Sequence, residues 1–74
     1  MKAREAVRKV MEEQGVGLSK LADRIEKSMR LVSDRLSQDN ISVKNLREML
    51  RGLDYKIVIM PRDVATPKGG IEIE

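Results

Sequence analysis

The stretch LSKLADRIEKSMRLVSDRL, residues 18–36, decides how this chain folds. Its apolar side chains recur at spacings of three and four, which is the period of an amphipathic helix. This spacing fits one uninterrupted helix with a heptad-like seam as well as two short helices. Ala22 allows two helices to pack closely, and Ser28 is a good N-cap for a second helix. The residues alone therefore leave two possibilities open, two short helices or a single continuous helix.

A first helix precedes this stretch. Its apolar side chains follow the same helical spacing, and its other side is charged. The apolar residues are Ala3, Ala6, Val7, Val10 and Met11. Glycine readily adopts the left-handed conformation that closes a helix. The spacing therefore predicts a first helix that ends near Gly15 and a second helix that begins beyond Gly17.

A further helix is predicted after the polar, turn-forming segment SQDNIS, residues 37–42. Ser42 stands at its N-cap position, where a hydroxyl accepts a hydrogen bond from a backbone N–H of the first turn. The apolar face of this helix consists of Val43, Leu46, Met49, Leu50 and Leu53. Gly52 together with Asp54 supplies the expected stop.

The remaining sequence is typical of a strand followed by a tail. Residues 55–61, YKIVIMP, are rich in β-branched side chains and end at a proline. The segment IEIE, residues 71–74, forms either the second strand of a loose hairpin or part of a disordered tail. An isolated hairpin is only marginally stable in water, so its apolar side chains must pack against the helices of the chain or against another subunit. We predict a mainly α protein, with a four-helix domain and trailing strand at 1–62 and a C-terminal tail at 63–74.

Residues 18–36 resemble the helix-turn-helix core of the phage repressor and Cro-type family. Members carry Leu-Ala in the second helix, a Gly-containing turn, a Ser or Thr cap, and then a buried Val or Ile. These places are taken here by Leu21, Ala22, Glu26, Lys27, Ser28 and Val32. The resemblance covers roughly residues 2–61 and departs at Glu26, where glycine is common, and at Lys27, where an apolar residue is common. It implies that residues 18–36 form two helices with a turn at Glu26 and Lys27. It also implies a phage repressor-like domain that binds specific double-stranded DNA and regulates transcription, repressor-like or Cro-like.

The resemblance, together with the width of the major groove, predicts which residues contact DNA. Val32 and Leu36 hold the third helix on the core, which leaves its opposite face free to enter the groove. The expected base contacts are Met29, Arg30, Ser33 and Asp34. The expected phosphate contacts are Ser19, Lys20, Lys27, Arg35, Ser42 and Lys44. Arg30 ranks first among the base contacts, because a guanidinium can bond to both major-groove acceptors of guanine.

Charge is distributed unevenly along the chain, whose formal net charge is +3. Residues 1–62 carry 14 Lys and Arg against nine Asp and Glu, whereas residues 63–74 carry one Lys against three acids. A basic body favours a polyanionic partner, because each neutralised phosphate releases counterions. A single aromatic residue disfavours single-stranded nucleic acid, which is bound by stacking on aromatic side chains.

The chain contains no Cys and no His. Thiolate chemistry, imidazole acid-base catalysis and the usual zinc ligands are therefore excluded, and the carboxylates are scattered rather than paired. We predict no enzymatic activity, no metal, no cofactor and no small-molecule substrate. The basic N-terminal residues are not followed by an apolar run, so we expect a cytoplasmic protein that does not contact a membrane.

A helix-turn-helix monomer covers only a few base pairs, so we expect a homodimer on two related half-sites. The expected dimer strand carries Tyr55, Ile57 and Ile59, and it could pair edge to edge across a two-fold axis. The alternative to the DNA-binding function is a protein-interaction module, antitoxin-like or an adaptor, whose helices and strand bind a partner protein.

Overall fold

The computed structural model describes residues 1–74 and contains four helices and no strand. They are α1 at Ala3–Gln14, α2 at Leu18–Arg24, α3 at Met29–Leu36 and α4 at Val43–Arg51. α3 packs against both α1 and α2, and α4 packs against α1. The prediction of a mainly helical domain with four helices is confirmed.

A single apolar core holds the helices together. All 13 buried residues are hydrophobic, so no polar side chain has to be satisfied inside the core. The largest fully buried side chains are Leu21, Leu36, Met49, Leu53, Val7, Val10 and Val32. Burial of a side chain of this size contributes about 1.5–3 kcal/mol relative to exposure, so the apolar spacing in the sequence determines which helix faces meet.

Residues 18–36 are interrupted after α2, so the alternative of one continuous helix is wrong. Glu26 has a left-handed backbone, with φ of 57°. The N–H of Lys27 donates to the carbonyl of Ala22 at 2.9 Å, and the N–H of Glu26 donates to that of Asp23 at 3.2 Å. These two bonds form a Schellman motif, which satisfies the last carbonyls of α2 and turns the chain. A non-glycine residue adopts this conformation at a cost of roughly 1–2 kcal/mol.

Serine N-caps begin the two helices that follow, as the sequence predicts. The Ser28 hydroxyl accepts from the N–H of Leu31 at 3.1 Å at the start of α3. The Ser42 hydroxyl accepts from the N–H of Asn45 at 3.2 Å at the start of α4. Each cap satisfies one of the free amides of its helix and is worth about 1 kcal/mol relative to alanine.

Left-handed residues also end α1 and the turn after α4. Gly15 closes α1 with φ of 66°, as predicted, and Asp54 closes the later turn with φ of 62°. Gly52, which was expected to share this role, is right-handed with φ of −66°. Its lack of a side chain is instead needed for close packing, because a Cβ there would lie 2.7 Å from Ile25 Cγ2 and 2.9 Å from Leu21 Cδ1.

The predicted C-terminal strand and hairpin are not formed. Residues 55–60 and the IEIE segment at 71–74 have no regular secondary structure. No backbone hydrogen bond within the chain involves residues 56–60, since no second strand lies beside them. The tail instead returns to the start of the chain, where the N–H of Glu74 donates to the carbonyl of Met1 at 3.0 Å. β-Branched composition is therefore insufficient here, because strand structure also requires a partner for the backbone.

Candidate nucleic-acid interface

All four residues predicted to contact bases lie on the exposed face of α3. They are Met29, Arg30, Ser33 and Asp34. The opposite face carries Val32 and Leu36, which are fully buried and fasten the helix to the core. Arg30 takes part in none of the ion pairs of the structure. The guanidinium is therefore free to bond to an external partner.

A shallow depression of about 490 Å³ separates the start of α2 from the start of α3. Its lining includes Ser19, Lys20 and Lys27, three of the residues predicted to contact phosphate, and also Met29. The turn at Glu26 brings these side chains together, because it folds the end of α2 back towards α3. Basic and polar groups therefore border the exposed face of α3 on its α2 side.

Lys44 extends the basic surface on the α4 side. Lys44 and Ser42 are both exposed at the N-terminal end of α4. The pKa of Glu48 is lowered chiefly by a hydrogen bond from Arg35, and the positive charges of Lys27 and Lys44 lower it further. Residues from the α2–α3 turn and from α4 are thus brought to one region of the surface, although they are distant in sequence.

Arg35, one of the predicted phosphate contacts, forms an ion pair within the protein. Its guanidinium Nη1 donates to Glu48 Oε1 at 2.6 Å, and only 11% of the Arg35 side chain is exposed. The hydrogen bond from Arg35 is the main cause of the lowered pKa of Glu48. Arg35 therefore links α3 to α4 through Glu48, and its contact with phosphate stays a prediction.

Several other cations also stabilise the fold rather than face solvent unpaired. Lys2 and Arg4 form ion pairs with Asp39, which joins the start of the chain to the α3–α4 loop. Arg8 and Arg24 donate to the backbone carbonyls at the ends of other helices. In contrast, Lys20, Lys27, Arg30 and Lys44 have neither ion pairs nor side-chain hydrogen bonds, and these are residues predicted to contact DNA.

Two further cations on α4 and one acid were not predicted from the sequence. Arg47 and Arg51 are exposed. They follow Lys44 by three and seven residues, a spacing that places all three on one side of a helix. Glu48 follows Lys44 by four residues, so it lies on the same side and reaches Arg35. Helical spacing from Lys44 was the available signal for the arginines, whereas the partner of Glu48 could not be read from sequence.

The residues of the expected dimer strand differ in accessibility. Tyr55 is half-buried and packs against the helical core. Ile57 is exposed, and 97% of the surface of Ile59 is accessible. Val58 and Met60 are exposed as well, which makes residues 57–60 an apolar surface segment.

The structure contains no group of three or more acidic side chains placed to hold a metal ion. None of its helices combines the length and the apolar character that crossing a membrane would require. The pKa values of two exposed carboxyl groups are lowered by local cations: Asp39 by the hydrogen bond and charge of Lys2, and Glu74 by the N-terminal amine. Both contacts hold chain segments together and lie outside the α3 surface.

Comparison with known proteins assigns no family to this chain. No protein-family model matches it, and neither the curated proteins nor the solved structures contain a significant match.

Proposed function

We propose that this chain is a sequence-specific double-stranded DNA-binding protein that regulates transcription, in the manner of phage repressor and Cro-type proteins. α2, the turn at Glu26 and α3 form its helix-turn-helix, and α3 enters the major groove. The groove is wide enough for a helix. Support comes from the order and length of the four helices, and from the left-handed turn at the place where the family commonly carries glycine.

One observation carries the proposal: cations that form no ion pair within the protein lie beside the exposed face of α3. Lys20 and Lys27 line the same depression as Met29, and the charges of Lys27 and Lys44 both act on Glu48. A duplex that receives α3 in its groove presents phosphates to these cations. Arg30 then bonds to a guanine edge, and Met29 contacts a thymine methyl.

The proposal is tested by fluorescence anisotropy with labelled duplexes. The protein is titrated against random-sequence DNA and against a duplex enriched from a random pool, at about 50 mM and about 200 mM salt. We expect tighter binding to the enriched duplex and a steep loss of affinity with salt. Absence of binding at low salt, by protein that is folded by circular dichroism, contradicts the proposal.

The phosphate role of Lys44 gives a separate expected result. Lys44→Ala should weaken binding to all duplexes by a similar factor and reduce the slope of log affinity against log salt by about 1. Lys68→Ala, in the tail, is the matched control and should leave the slope unchanged. An unchanged slope for Lys44→Ala removes this residue from the interface.

We also propose that the protein acts as a homodimer through residues 57–60. The nearly complete exposure of Ile59 and the unpaired backbone of this segment support pairing with a second copy. Sedimentation equilibrium is expected to show a dimer at tens of micromolar for the wild type and a monomer for Ile59→Asp. A wild-type monomer at that concentration contradicts the dimer.

The exposed apolar segment also favours a second candidate function, a module that binds a partner protein. In that case Ile59→Asp abolishes function, whereas Arg30→Ala leaves it intact. The DNA-binding function requires the opposite for Arg30, whose loss must change which sequences are preferred.

A further inference from the structure

The ion pair between Arg35 and Glu48 joins the two helices to which the proposed function gives different DNA contacts. Nη1 and Oε1 are 2.6 Å apart, and the two side chains are 11% and 29% exposed. It is the only ion pair that links one helix directly to another, since the others involve the chain termini or the loop residue Asp39.

The backbones of α3 and α4 approach each other at few points, although apolar side chains of both helices belong to the same core. α3 has its most extensive backbone contacts with α2 and α1, and α4 has its most extensive contact with α1. Arg35 lies in the last turn of α3, the helix that carries Arg30, and Glu48 lies one turn after Lys44 on α4. The ion pair therefore restrains the distance between the helix with the expected base contacts and the helix with an expected phosphate contact.

We infer that Arg35 and Glu48 are positioning residues for DNA recognition, which set α3 relative to α4 without touching DNA. This inference rests on the proposed DNA-binding function. A duplex fixes the distance between a guanine edge in the groove and the phosphates beside it, so Arg30 and Lys44 can bind together only when their helices are correctly spaced. A binding site loses much of its selectivity when the groups that support it allow it to shift by about 1 Å.

The charge of Glu48 gives this inference a distinctive signature. Its carboxylate lies near Lys27 and Lys44, where it opposes the approach of phosphates. If Glu48 acted only through its charge, Glu48→Gln would strengthen binding to every duplex and leave sequence preference unchanged. If it positions α3, the same substitution lowers the preference for the selected duplex while binding to random DNA is unchanged or stronger.

The test compares the ratio of dissociation constants for random and selected duplexes, at one salt concentration, in protein that circular dichroism shows to be folded. We expect Glu48→Gln to reduce this ratio by about tenfold, because groups in one hydrogen-bonded network are strongly coupled. The exchange variant Arg35→Glu with Glu48→Arg keeps the net charge and should recover most of the ratio. Lys68→Gln, which removes an unpaired charge from the C-terminal tail, should leave the ratio unchanged.

The outcomes separate this inference from the proposed function. A wild type without sequence preference defeats the proposed function itself. A wild type with preference, together with a Glu48→Gln ratio within about twofold of it, overturns the positioning role, as does an exchange variant that folds without recovering preference. If Arg35→Gln instead weakens all duplexes equally and lowers the salt slope by about 1, Arg35 contacts phosphate directly and the inference is wrong.

Discussion

Replacing Arg30 with alanine is expected to weaken binding to the selected duplex by about 1–3 kcal/mol, or roughly 5- to 150-fold. Arg30 is exposed on the first turn of α3 and has no ion-pair partner in the protein. Its removal therefore leaves no buried charge uncompensated, and the loss reports on the external contact alone. Binding to random DNA should fall much less, because only one positive charge is lost from the basic surface.

The measurement is an anisotropy competition against duplexes that vary one base pair at a time. Loss of a bidentate contact should relax preference at a single guanine position and leave the other positions unchanged. Arg62→Ala is the matched control, since Arg62 is exposed just before the C-terminal tail and takes part in no ion pair. If Arg30→Ala weakens binding to all duplexes equally, Arg30 contacts a phosphate instead. If the affinities for all duplexes are unchanged, the protein-interaction module is favoured.

The helices were predictable from the sequence because their apolar spacing and caps are local signals. Ser28 and Ser42 begin helices where the sequence places them, and Gly15 ends α1. The break at Glu26 was the less certain feature, since a glutamate in a left-handed turn is unfavourable by itself. Two backbone hydrogen bonds of the Schellman motif and burial of the flanking helix faces offset that cost, and these are properties of the folded chain.

Val43 was predicted on the buried face of α4, but 70% of its surface is exposed. The other features that the sequence did not reveal depend on distant contacts. Arg35 was predicted to contact phosphate, and the sequence does not show that α4 brings Glu48 against its guanidinium. Residues 55–60 have the composition of a strand, but no second segment pairs with their backbone. Spacing along a sequence identifies the face on which a residue lies. It does not identify which group from another element meets it there.

Gly52 shows the same dependence and gives the prediction with the largest effect on stability. Gly52→Ala is expected to lower the free energy of unfolding by about 1–3 kcal/mol, because an added methyl overpacks the contact between α2 and the end of α4. The new Cβ would lie 2.7 Å from Ile25 Cγ2, the methyl group bonded directly to the branched Cβ of Ile25. That methyl cannot move away by rotation of a terminal bond, since χ1 of isoleucine is stiff. Relief therefore requires displacement of the backbone that leads into the turn at Glu26.

Urea unfolding of Gly52→Ala and Gly17→Ala separates this contact from the general effect of replacing glycine. Both substitutions reduce the freedom of the unfolded chain, which by itself stabilises by about 0.4–1 kcal/mol. Gly17 has a φ of −87° and no atom within 4 Å of the added Cβ, so Gly17→Ala should leave the free energy of unfolding unchanged or raise it by up to about 1 kcal/mol. Each kcal/mol lost at Gly52 should lower Tm by about 4–8 °C in a domain of this size. Equal stability of the two variants would mean that α2 and α4 move apart to accommodate the added methyl without loss of stability. The absence of a side chain at Gly52 would then not be needed for their close packing.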